Sequence, residues 1–392
     1  MGPEGELRIG VRLHDGTVQG IDIRSTRPDV ARTMLQGRTR AEVLAAVPLL
    51  FSICGHSQAA ASEMACAAAA RETLTACASE SCRLAVSAEL MREGACRTLL
   101  DWPRWIGEKP ADGAIAAARE SLAPRPVAPV ASAQAGATPA TAPTVQTTRT
   151  ADPSPPANDA IAMAVFGLAA EDWLAMTSLA DLDRWADDGQ TAAARFIRRV
   201  RDDEAAVVYR PDHAPRLVPL LGDHDHAAWV GELAQAGAAD PEFARHPTWR
   251  GAPAETGALA RLQSDPLLSA LCATAATRVQ ARFVARLREL ALLLAGRASP
   301  ALGALSLPGA SGIAWVETAR GLLMHIVSLH QGRVHAYRII APTEWNFHPR
   351  GALALALAGA TAADHDAAQR HVKRLVHSLD PCVAFSVEVT DA

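Results

Sequence analysis

Apolar and polar positions alternate from Glu6 to Arg24. Leu7, Ile9, Val11 and Leu13 fall on one face, His14-Asp15-Gly16 interrupts the run, and alternation resumes from Thr17 to Ile23. A period of two is that of a strand, and Asp-Gly between two such runs predicts a hairpin. The period then lengthens. Arg27 to Leu50 reads as helix, and Ser57 to Glu93 as one or two Ala-rich helices with Ser57 as the first N-cap. From residue 121 to 158 no apolar period exists. Ala, Pro, Thr, Ser and Val dominate there, with eight prolines between Pro124 and Pro156 and almost no charge. Such a segment buries too little surface to offset its ordering entropy and reads as a flexible linker.

Helical periodicity returns from Asp159 to Gly296, with breaks around 212–225 and 241–253. Ile313 to Ile340 reads as a strand pair: one run from Ala314 through His325 to Val327, a turn at Gln331-Gly332, and a second run from Arg333. Thr361 to Leu379 is a closing helix, followed by an extended end from Cys382 to Val389. The expected fold class is therefore α+β, predominantly helical, with small β elements at both ends. The expected organisation is a unit over 1–120, the linker over 121–158, and a helical unit with a β/α end over 159–392.

Composition adds limits. The 392 residues are 49% hydrophobic but only 4% aromatic, which points to helix-rich cores of small side chains. A net charge of −4 offers no global attraction to nucleic acid or to an anionic membrane. Without an apolar run of spanning length or a leader-like start, the expectation is a cytoplasmic protein. Seven cysteines, five of them between Cys54 and Cys96, favour free thiols or metal ligands over a disulfide framework. Neither a C-x-x-C pair nor a phosphate-cradling or hydrolase motif occurs.

Two cysteines stand in distinctive surroundings: Ile53-Cys54-Gly55-His56-Ser57, and Asp380-Pro381-Cys382-Val383-Ala384-Phe385. Each looks like half of a metal-binding pair whose second cysteine is replaced. On the residues alone, both could be small buried hydrophobes. A cysteine at a helix start would gain thiolate character from the helix dipole. Asp212-His213 and Asp223-His224-Asp225-His226 form a histidine-rich stretch that reads as solvated loop or as a weak metal site.

Further blocks sit in order between these motifs: Gly2-Pro3-Glu4-Gly5-Glu6-Leu7-Arg8-Ile9, Arg245 to Gly251 with Glu255 to Arg261, Glu317-Thr318-Ala319-Arg320-Gly321, and Ala341 to Arg350. Together with the cysteine motifs they resemble a nickel–iron hydrogenase large subunit, in which I-C-G-x-C and D-P-C-x-x-C supply four thiolates. The departures are Ser57 and Phe385 at the positions of the bridging cysteines, and Glu388 at the position where that family's C-terminal extension is cleaved. The combination resembles the HupK/HoxV family of hydrogenase accessory proteins.

The resemblance implies a reduced large-subunit-like fold and no hydrogenase activity. It implies a non-catalytic scaffold or carrier holding an Fe(CN)2CO unit transiently, with no nickel, for transfer to the apo large subunit. The unit would come from HypC–HypD-type maturation proteins. Cys54 and Cys382 would hold the metal. Arg320, Pro342 and Thr343 would lie near the diatomic ligands, and His56 and Glu4 around them. Arg320 could instead pair with Glu317. The alternatives are a metal-free chaperone protecting the large subunit, and a divergent large subunit with a rebuilt site.

Overall fold

The computed structural model of the chain describes residues 5–51, 53–110, 113, 155–210, 215–222, 226–239, 242–274 and 277–392. The expected hairpin forms as β1 (Glu6–His14) and β2 (Thr17–Ser25), turning through left-handed Asp15 and Gly16. Leu7, Ile9, Val11 and Leu13 are its buried face. The region read as one helix after Arg27 is two, α1 (Val30–Leu35) and α2 (Arg40–Leu50), separated at the left-handed Gly37. Thr39 and Glu42 close a reciprocal capping box on α2.

Next come α3 (Gly55–Ala69), α4 (Ala76–Cys96), a π-helical turn over Arg97–Asp101 and α5 (Trp102–Trp105). The stretch read as a linker lies outside the described residues up to 154; its last residues already belong to the helix Pro155–Phe166. The helices that follow surround Val279–Leu294, whose residues are almost all buried. Arg282 and Arg288 on that helix are tolerated in the core because each meets a carboxylate: Arg282 donates to Glu255 (2.8 and 3.0 Å), and Arg288 to Asp265 (2.9 and 2.7 Å).

The described strands build two sheets. β4 (Leu302–Leu307), β5 (Ser311–Thr318), β6 (Gly321–His330) and β7 (Arg333–Ile340) form an antiparallel meander. The run expected to be one strand from 314 to 327 is thus broken at Ala319-Arg320, because Gly321, at φ 130°, turns the chain back. The other sheet has the order β3-β8-β2-β1-β9, with β3 at Val208–Tyr209, β8 at Ala360–Thr361 and β9 at Ala384–Asp391. Here β9 runs parallel to β1, with Leu7 opposite Phe385 and Val11 opposite Val389. The pairing sets the segment that follows Cys382 beside the N-terminal hairpin. The meander sheet carries α3 on its face: a Cβ at Gly312 would stand 2.4 Å from the Ala69 nitrogen, so only glycine permits this approach of helix to strand.

Candidate functional site

Cys54 occupies the N-cap of α3 but makes no capping bond through its side chain. The open helix terminus is satisfied from another element. The carboxylate of Glu89, on α4, accepts from the His56 N–H (2.8 Å), the Ser57 N–H (3.1 Å) and the Ser57 hydroxyl. Ser57 is therefore not the N-cap; it lies in the first turn and binds the residue that does the capping. Glu89 is 2% exposed, and burial pushes its carboxyl above the usual range against the three donated bonds. The same surroundings reverse the expectation for Cys54. Burial first, then the proximity of Cys382 and Glu89, push its thiol up to about 12 despite Gln58 and Arg320. The helix dipole is already answered by Glu89 and leaves little for a thiolate.

Cys382 comes from the other end of the chain. The closing helix His365–Leu379 ends at Asp380 in a left-handed conformation (φ 51°, ψ 71°), and Pro381 directs the chain away from the helix. Pro342 and Thr343 open the short helix Pro342–Asn346, and both are buried. The Cys382 N–H donates to Thr343 Oγ1 (3.4 Å), and the threonine hydroxyl shares a second hydrogen bond with Cys382 Sγ (3.0 Å), in which either atom can be the donor. Arg27, just past β2, donates to the same sulfur at 3.8 Å and pairs with Glu344 at 3.6 Å.

Arg320 sits in the turn between β5 and β6. Asn346 holds that turn: its side-chain oxygen accepts from Thr256 N–H (2.9 Å) and its amide donates to the Arg320 carbonyl (3.3 Å). Arg320 does not pair with Glu317, which binds Arg261 instead. Its guanidinium donates to Glu93 (3.1 Å), while its Nε has no hydrogen-bond partner among the described residues and stands 3.8 Å from Asp380. Burial opposes the Arg320 charge, but Asp380, Glu93, Cys382 and Cys54 together raise its pKa. Asp380 in turn is held below the usual carboxylate range: burial would raise it, and Arg97 at 3.1 Å with Arg320 and Arg286 outweigh that.

A buried chain of hydrogen bonds ends on Cys54. Gln58 Nε2 donates to its Sγ (3.6 Å), and Gln58 Oε1 faces His325 Nε2 (2.8 Å). His325 Nδ1 faces the Tyr337 hydroxyl (2.7 Å). With the Gln58 oxygen as acceptor, His325 carries its proton on Nε2, and Tyr337 donates to Nδ1. His325 is fully buried, and burial lowers its pKa to about 3, so the ring stays neutral.

Sequence reasoning missed Gln58, Glu89, Arg27 and His325 as parts of this site, while Asp380 was legible in its motif. Gln58 stands one helical turn after Cys54, a spacing that could have pointed to it; Glu89, Arg27 and His325 show no local signal, since their partners are remote in the chain. His56 is half-buried, and burial and then Arg92 lower its pKa. Glu4 lies outside the described residues, as do Asp212, His213, Asp223, His224 and Asp225. Phe385 packs its ring against His377 (5.2 Å) on β9. Of the remaining cysteines, Cys66 and Cys82 are buried, Cys96 and Cys272 partly so, and Cys77 is exposed. Among the described residues no cluster of three or more His, Cys, Asp or Glu is placed to hold a metal ion.

The chain is similar to known proteins over nearly its whole length. It is 32% identical to the hydrogenase expression/formation protein HoxV of Cupriavidus necator, over 96% of this chain and 94% of that protein. It is also 32% identical to the hydrogenase expression/formation protein HupK of Rhizobium leguminosarum bv. viciae, over 99% and 97%. Residues 267–388 match the nickel-dependent hydrogenase family. A shorter similarity reaches the hydrogenase-2 large chain of Escherichia coli, 34% identical over 87 residues that make up 21% of this chain and 15% of that one. Among solved structures, the Ni-Fe-Se hydrogenase of Desulfomicrobium baculatum shares the fold at a TM-score of 0.55, covering 95% of both chains at 17% identity.

Proposed function

The chain belongs to the HupK/HoxV family of hydrogenase expression/formation proteins, and on that premise we propose that it serves hydrogenase maturation as a non-catalytic carrier of an Fe(CN)2CO unit. The observation that carries this reading is the meeting of Cys54 and Cys382, from opposite ends of the chain, within reach of each other's charge and of Arg320. Both thiols are free.

The chemistry of the surroundings suits this cargo. Ferrous iron with two cyanides, one carbon monoxide and two thiolates carries a net charge of about −2, a soft and electron-rich anion. Arg27 and Arg320 stand beside the sulfurs to balance it. The unpartnered Arg320 Nε is a buried donor of the kind a cyanide nitrogen would accept from. Thr343 steadies Cys382 by sharing a hydrogen bond with its sulfur, and Gln58 steadies Cys54 by donating to its sulfur. Deprotonation of the two thiols accompanies uptake, and the burial that holds the Cys54 thiol neutral therefore weakens the grip on the iron. Two protein thiolates grip less firmly than four, as a donor to the apo large subunit requires. HypC–HypD-type proteins are the expected source of the unit.

The test is infrared spectroscopy of protein purified without oxygen from a host expressing a hydrogenase. Cyanide and carbonyl stretching bands are expected in the wild-type chain and should vanish in Cys54→Ala and Cys382→Ala. Variants that fold, lack both thiols and still support full hydrogenase formation would instead establish a metal-free chaperone.

A further inference from the structure

A cavity of about 420 Å3 opens between α5, the helix Ala192–Ala205 and the helix His365–Leu379. Its volume is that of a small-molecule site. One wall is aromatic. Trp105 and His377 stack with centroids 3.8 Å apart, and Phe196 meets Phe283 edge-on at 4.8 Å. Burial lowers the His377 pKa to about 4, so its ring is a neutral surface at pH 7.

The other wall is cationic. Arg370, Lys373 and Arg374 lie one turn apart on the closing helix, and Arg199 faces them. Among the described residues Asp203 is the one carboxylate lining the cavity, and it is occupied twice, by Arg199 (3.1 Å) and Arg374 (2.7 Å). Among the described residues no carboxylate pairs with Arg370, and Lys373 donates only to the neutral Gln369 (3.3 Å). Three like charges at helical spacing repel one another, a cost that a bound anion removes. A flat apolar wall facing an excess of positive charge is complementary to a ligand with both a ring and several negative charges.

We propose that this cavity binds a small planar anion of the nucleoside phosphate class, its ring against Trp105 and His377 and its phosphates on Arg370 and Lys373. The assignment does not depend on iron carriage. A ligand there grips the helix whose end presents Asp380 and Cys382, so the two sites share one element.

Isothermal titration of the full chain, purified without metal, with ADP, adenosine, pyrophosphate and indole-3-acetate tests this. ADP is expected to bind, with adenosine, pyrophosphate and the singly charged indole-3-acetate each at least tenfold weaker. Arg370→Glu and Lys373→Glu change exposed side chains and should each weaken ADP at least tenfold with an unchanged Tm. The proposal is overturned if ADP gives no binding at millimolar concentration, if either charge reversal leaves its affinity unaltered, or if indole-3-acetate binds as tightly as ADP.

Discussion

At the scale of single residues, the site is organised around donors that reach sulfur. A cysteine at a helix start ordinarily favours thiolate, yet Cys54 does not, because the carboxylate of Glu89 already occupies that terminus. Alkylation should reveal this. In protein free of metal at pH 7.5, iodoacetamide is expected to modify the exposed Cys77 at least tenfold faster than Cys54, whose thiol is pushed up to about 12. Peptide mapping of a time course reads the two rates; equal rates would show that the Cys54 thiol is not held neutral as described. The cysteines themselves were legible in the sequence, as were Arg320 and Thr343, because each lies in a short motif. Glu89 and Arg27 were not, since a partner on a remote element leaves no trace in local spacing.

At the scale of elements, the decisive feature is the tight hairpin between β5 and β6. Sequence periodicity concealed it, because apolar runs stand on both sides, and the short polar stretch Glu317-Thr318-Ala319-Arg320-Gly321 between them reads as part of one strand, with Gly321 like an ordinary strand glycine. The first hairpin was easy to read by comparison, its Asp-Gly turn falling between two cleanly alternating runs. Gly321 at φ 130° leaves no room for a side chain: a Cβ would stand 2.2 Å from Thr256 Oγ1 and 3.0 Å from the Gly257 nitrogen. Gly321→Ala should therefore cost about 1–3 kcal/mol from backbone strain alone, with the clash in addition. Urea unfolding measures that loss. The same substitution should displace Arg320 from Glu93 and Asp380, which it reaches only through this turn. A variant with unaltered stability would mean that the turn is not built as described.

At the scale of the whole molecule, segments on either side of residues 121–158 are joined at several places, among them the parallel pairing of β1 with β9 and the packing of α3 on the meander sheet. The second junction contains a titratable group. His325 on β6 bridges Gln58 on α3 and Tyr337 on β7, and is held neutral with a pKa of about 3. A histidine whose folded pKa is depressed binds fewer protons folded than unfolded. Its contribution to stability is thus complete above its ordinary pKa near 6.5 and is lost as pH falls toward 3. Within that window the loss is up to roughly 1.4 kcal/mol per pH unit. His348, His371 and His377, each lowered by burial to about 4, act in the same direction. Glu89, Glu204 and Glu344 oppose them, because burial raises their carboxyls and the folded chain takes up those protons more readily. Comparing His325→Asn with wild type isolates the one histidine from this sum. Between pH 7 and pH 5, the unfolding free energy of the wild type should fall more steeply than that of the variant, by nearly one proton in the slope. Parallel slopes would mean that His325 titrates normally and that the junction between α3 and the sheet is open to water, in which case Gln58 would no longer be fixed in place to donate to Cys54.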